Sequence, residues 1–130
     1  MKFLITLFFF LIQTINHAQQ QANLIGTWKL KTVLDSSGKK CKGIKKYTLT
    51  INADTSYKMD LGGTSGIVGH WSVDGNKIKF EANTVVDPCM EWSFDDEFKS
   101  FEITDAGALI IDFFICGEVA GRSYFEKVKP

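Results

Sequence analysis

Proline, arginine and histidine are scarce in this 130-residue chain, and neither sign of charge is in excess. The two prolines are Pro88 and Pro130, so every residue before Pro88 keeps a backbone N–H for pairing. Fifteen basic residues face fifteen acidic ones, which excludes the strongly basic footprint of a nucleic-acid binder. The two histidines (His17, His70) and three cysteines (Cys41, Cys89, Cys116) contain no Cys-x-x-Cys pair, so neither a zinc nor a redox site is expected. No nucleophile elbow, kinase signature or metal motif occurs. Gly62-Gly63-Thr64-Ser65-Gly66 is glycine-rich, but it connects strands and opens no helix, which argues against phosphate cradling. A non-enzyme with no cofactor and no metal is the expectation.

Long apolar runs are also missing. The one extended run, Phe3–Ile12, falls well short of the roughly 20 residues a membrane-spanning helix needs. It follows Lys2 and precedes Ala18, which is the order of a charged start, an apolar stretch and a small residue suited to cleavage. Residues 1–18 are therefore expected to be a signal peptide. The product, residues 19–130, would be exported to the periplasm or secreted, with no transmembrane segment left. That removal takes away one lysine, Lys2, and no acid, so the net charge moves from 0 to −1. What is left suits one domain with one core.

The chain beyond residue 18 alternates apolar and polar residues in short runs broken by turn chemistry. Trp28-Lys29-Leu30-Lys31-Thr32-Val33-Leu34 has a period of two, which predicts a strand with Trp28, Leu30, Thr32 and Leu34 on one face. Tyr47–Ile51, Tyr57–Leu61, Ile67–Val73, Ile78–Ala82, Phe101–Ile103, Leu109–Ile115 and Arg122–Val128 follow the same rule. Asp35–Gly38, Asn52–Thr55 and Asp74-Gly75-Asn76 are turn signals. Asn83–Cys89 is expected to be loop, because Pro88 lacks a donor. No stretch carries a helical stripe. The spacing predicts an all-β domain, a single antiparallel up-and-down barrel. Met90–Phe94 would make a ninth strand, and a closed meander needs an even number. Eight strands follow if that run is loop and ten if another is missed; the length favours eight.

In an exported chain two of the three cysteines are expected to pair. Counting alternating ends places the loops of Cys41 and Cys89 together whichever strand count holds, which favours a Cys41–Cys89 bridge.

Gly26-Thr27-Trp28 at the head of the first strand, with a cation on the last, resembles the calycin superfamily of lipocalins and fatty-acid-binding proteins. Leu24–Leu30, Leu49–Tyr57, Gly69–Ile78 and Tyr124–Val128 together resemble small bacterial lipocalin-like proteins. The resemblance implies that Gly26 and Trp28 are structural; antiparallel closure, which sets a residue early in the first strand against one late in the last, favours Lys127 over Arg122 as the cation that caps the indole. Arg122-Ser123-Tyr124 is similar to the pair that holds a ligand carboxylate in fatty-acid-binding proteins. It implies a ligand role for Arg122 and Tyr124, with pairing of Arg122 to Asp112 or Glu118, or a place on the rim, as the alternative.

The expected inner wall includes Tyr47, Tyr57, Met59, Trp71, Phe113 and Tyr124, a lining suited to a lipid-like or other hydrophobic small molecule. The same rings could instead fill the interior of so small a barrel. A solid barrel would act through its loops on a protein partner, with Val85, Val86 and Val119 on loop tips. The lysines at 39, 40, 42, 45 and 46, and the acids Asp95, Asp96 and Glu97, are expected to be solvated loop charges, and His70 a surface residue.

Overall fold

The computed structural model describes residues 19–41, 47–62, 65–86, 97–112 and 121–129. Eight strands run in chain order: β1 (Gly26–Asp35), β2 (Thr48–Ile51), β3 (Ser56–Gly62), β4 (Ser65–Asp74), β5 (Lys77–Val86), β6 (Lys99–Ile103), β7 (Ala108–Ile111) and β8 (Gly121–Lys127). Each pairs antiparallel with the next, and β8 pairs back with β1, so the sheet closes into a barrel. Closure pairs the first strand with the last, so neither terminal strand is a free edge.

Short turns gather at one end, with the start of β1 and the end of β8. Asp54 shapes the first by accepting from the Ser56 N–H and hydroxyl. Gly75, at φ 60°, takes the left-handed position that the Asp74-Gly75 pair predicts. Thr104 Oγ1 accepts the Ala108 N–H at 3.0 Å across the third turn. The connections from β1 to β2, β3 to β4, β5 to β6 and β7 to β8 leave from the opposite end.

The core is one continuous cluster along the inside, with Trp28, Tyr57 and Phe125 as its largest fully buried side chains. Burying a ring such as that of Phe125 contributes about 1.5–3 kcal/mol. Tyr57 meets Phe80 edge-on, with centroids 4.8 Å apart, a preferred aromatic geometry.

Three local expectations need correction. The β1 alternation breaks between Leu30 and Thr32, where the register against β8 shifts. The extra residue of a bulge reverses the phase. Val33 is therefore fully buried, whereas Thr32 and Leu34, expected inside, are only half-buried. The segment expected as loop from Asn83 onward continues β5 to Val86, because a second register shift, opposite Val68 and Gly69, absorbs Asn83 and lets Thr84–Val86 pair with Gly66–Val68. Val85 and Val86 are thus strand residues and not loop tips, while Val119 lies outside the described residues. Finally, residues 19–24 are helical. Six residues are too few to show a stripe in sequence. Among the described residues the strand count is eight; Met90–Phe94 lies outside them.

Candidate functional site

At the short-turn end the barrel is plugged. Trp28 is fully buried, and its Nε1 donates to the Leu24 carbonyl oxygen at 2.8 Å. Leu24, the last residue of the helical stretch, is itself fully buried. Lys127 is the register partner of Trp28, and its Nζ stands 5.3 Å from the ring centre. Gly26 makes room for this arrangement: a Cβ there would lie 2.8 Å from Lys127 Cε. Its φ of 141° is also one that side-chain-bearing residues rarely adopt.

Tyr47, Tyr57, Met59 and Trp71 also project into the core and are buried. Trp71 Nε1 donates to the Asn52 carbonyl at 2.9 Å, tying the inner wall to the β2–β3 turn. Burial pushes the Tyr47 hydroxyl above the ordinary tyrosine pKa, so it stays neutral. Gly69 lets β4 approach closely, since a Cβ there would lie 1.8 Å from the Glu81 carbonyl oxygen and 2.9 Å from the Tyr57 ring. Ala82 pairs with Gly69 and so shares its inward side, yet Ala82 is exposed. β5 pairs with β6 through Lys77 and Ile78 alone, among the described residues. The inner side of β5 is therefore reachable by solvent at Ala82.

Tyr124, expected on this inner wall, is not on it, and neither is Arg122. Along β8, Ser123 and Phe125 are buried, whereas Arg122 is exposed and Tyr124 half-buried. The cause is the period of two: Leu30 faces inward and pairs with Phe125, so the even-numbered residues of β8 face outward. Arg122 Nε donates to Asp112 Oδ1 at 2.7 Å, the pairing that was the alternative to a ligand role. That carboxylate raises the guanidinium's pKa further, with a smaller contribution from the Tyr124 hydroxyl. His70 is exposed on the outer wall, with Nδ1 2.9 Å from Asn83 Nδ2. Phe113, Glu118 and Cys89 lie outside the described residues.

Two hollows on the outer wall share the Asp112–Arg122 pair. The larger, about 440 Å³, is bordered by Leu34, Asp35, Ser36, Gly38, Gly121 and Tyr124. The smaller, about 130 Å³, is bordered by Asn76, Ser100, Phe101, Glu102 and Ile110. Sequence reasoning missed this wall because it assigned Leu34 and Tyr124 to the inside. The signal lay in Lys127: a lysine placed over Trp28 fixes the odd-numbered residues of β8 as inward.

Cys41 packs against the core at the end away from Trp28. The connections that carry Cys89 and Cys116 leave from that same end. The count of eight strands thus makes either a topologically open partner for Cys41. Among the described residues no group of histidine, cysteine or carboxylate side chains is placed to hold a metal, and no helix is long and apolar enough to cross a membrane.

No protein-family model, curated protein or solved structure matches the chain. Its architecture defines its class: a closed eight-stranded antiparallel up-and-down barrel, plugged at one end.

Proposed function

We propose that this chain is an exported, non-catalytic, lipocalin-like barrel that holds one small apolar or amphipathic molecule against its inner wall. The observation that carries the reading is Ala82, an inward-side residue exposed to solvent beside a wall of Tyr57, Met59 and Phe80. An apolar molecule seated there removes its own surface and that of Ala82 from water, at about 25 cal/mol per Å². The Tyr47 hydroxyl, kept neutral by burial, suits a polar head group. Export rests on the Lys2, Phe3–Ile12, Ala18 pattern, which precedes the described residues. A cystine at Cys41 belongs to the same reading, because an exported chain folds in an oxidising compartment.

The test is a titration with 1-anilinonaphthalene-8-sulfonate, read by its fluorescence. Saturable binding that Ala82→Trp weakens at least tenfold, with the far-ultraviolet spectrum unchanged, is expected. Binding that ignores Ala82→Trp contradicts the reading.

A second reading has its own observation. Trp28, Leu49, Met59, Ile67 and Ile111 are completely inaccessible to solvent, as in a barrel filled by its own side chains. Such a barrel acts on a protein partner through its loops, and it gives no saturable signal in the same titration.

A further inference from the structure

We propose that Gln19 is a modification site: after removal of residues 1–18, its α-amine and its own side-chain amide close to a pyroglutamyl lactam, which seals the new chain terminus. The proposal rests on the export reading, whose cut falls after Ala18. Gln19-Gln20-Gln21 follow that residue directly, so a cut displaced by one or two positions still leaves a glutamine first. All three are exposed on the helical stretch that leads to Leu24. An exposed terminal side chain is free to fold back on its own amine, and solvent or a cyclising enzyme reaches it.

The step needs no co-reactant. An α-amine titrates at about pH 7.7–8.0, so part of it is unprotonated at neutral pH. That nitrogen attacks the side-chain carbonyl carbon of Gln19, Cδ. A Cδ–N bond forms, the Cδ–Nε2 bond breaks, and an amine proton passes to Nε2, which departs as ammonia. Nothing is oxidised or reduced. A neutral five-membered lactam replaces a charged amine.

The barrel plug gives the seal its consequence. Leu24 is fully buried, and its carbonyl oxygen accepts the Trp28 Nε1–H at 2.8 Å. Five residues, 19–23, separate this contact from the terminus, and all five are exposed. Proteolysis concentrates at exposed termini. An aminopeptidase that needs a free α-amine would remove these residues one by one and arrive at the plug. The lactam denies it a first bond to cut.

The test is intact mass, measured after reduction, and stepwise N-terminal sequencing of the protein recovered from its producing cells. The expected chain begins at Gln19, is lighter than residues 19–130 by one ammonia, is blocked to sequencing and is opened by pyroglutamyl peptidase. The comparison is a variant made in the same cells, Gln19→Ser with Gln20→Ser and Gln21→Ser, in which a cut after residue 18, 19 or 20 leaves serine. It should carry its full mass, and an aminopeptidase should shorten it at least tenfold faster than the parent. A parent chain cut at Ala18 with a free amine overturns the proposal and leaves export standing. Equal shortening of parent and variant also overturns it. A chain that retains residues 1–18 overturns both the proposal and the export reading.

Discussion

Lys127 and Trp28 are register partners across the β1–β8 pairing that closes the barrel, and the lysine nitrogen stands 5.3 Å from the centre of the indole. A cation over a tryptophan face is worth about 0.5–2 kcal/mol. Lys127→Met, which keeps most of the stem, should lower unfolding free energy by about 1 kcal/mol, whereas Lys127→Arg should retain it. Urea unfolding followed by tryptophan fluorescence measures both. Equal losses in the two variants would show that the charge contributes nothing.

Gly69→Ala should damage folding far more than an ordinary alanine substitution. The added carbon would sit 1.8 Å from the Glu81 carbonyl oxygen, a backbone atom that cannot move without breaking the β4–β5 register. The expected cost is about 3 kcal/mol or more. It is read as loss of soluble expression or of the cooperative thermal transition. Gly107→Ala is the comparison: nothing lies within 4 Å of the added carbon there, and only its φ of 84° opposes the change.

Raising the pH should destabilise the barrel through Tyr47. Burial raises its pKa in the folded state above that of the unfolded chain. The folded state therefore holds this proton more firmly, so the contribution is complete below the ordinary tyrosine pKa of about 10 and is lost as pH rises through the higher folded value. Tyr47→Phe should flatten the alkaline limb of a stability-against-pH profile. An unchanged limb would contradict the assignment.

The acid side has the opposite sign. Asp35 is held below the ordinary carboxylate range, first by the Ser37 hydroxyl and then by the Lys39 N–H. Asp54 is lowered by the Ser56 hydroxyl and N–H. A depressed pKa stabilises above the unfolded value and is lost as pH falls through the folded one, so stability should decline below about pH 4. Asp54→Asn should shrink that decline, as followed by acid titration of the circular dichroism signal. A decline of undiminished size in this variant would assign acid sensitivity to other carboxyls.

Much of this architecture was legible in the residues because each feature had one local cause. Asp74-Gly75 demanded a tight hairpin, and Gly26-Thr27-Trp28 marked the start of β1. The lysine opposite Trp28 followed from antiparallel closure. What stayed hidden were the places where two phases of alternation were equally apolar. In β1 both Val33 and Leu34 suit an interior, so nothing local showed the bulge after Leu30 that reverses the phase there. In β8, Tyr124 and Phe125 are equally plausible core residues, and pairing of Phe125 with the inward Leu30 decides between them. The outer-wall hollows depend on both reversals, so they were invisible until the register was known. Leu24 was hidden for another reason: its burial comes from a six-residue helical stretch with no periodic signature.

A thiol count tests the cysteine reading. The unfolded residue 19–130 protein, purified without reductant, should show one reactive thiol out of three cysteines. Cys41→Ser should raise the count to two by freeing its partner. Three reactive thiols in the parent protein would remove the cystine, and with it a support for export.

Native mass spectrometry of the protein recovered from its producing cells tests the barrel-carrier reading most directly. The expected spectrum contains the polypeptide plus one small apolar molecule in equal proportion, released by organic extraction and displaced by 1-anilinonaphthalene-8-sulfonate. A spectrum of bare polypeptide, together with no uptake of that dye at saturating concentration, would contradict it.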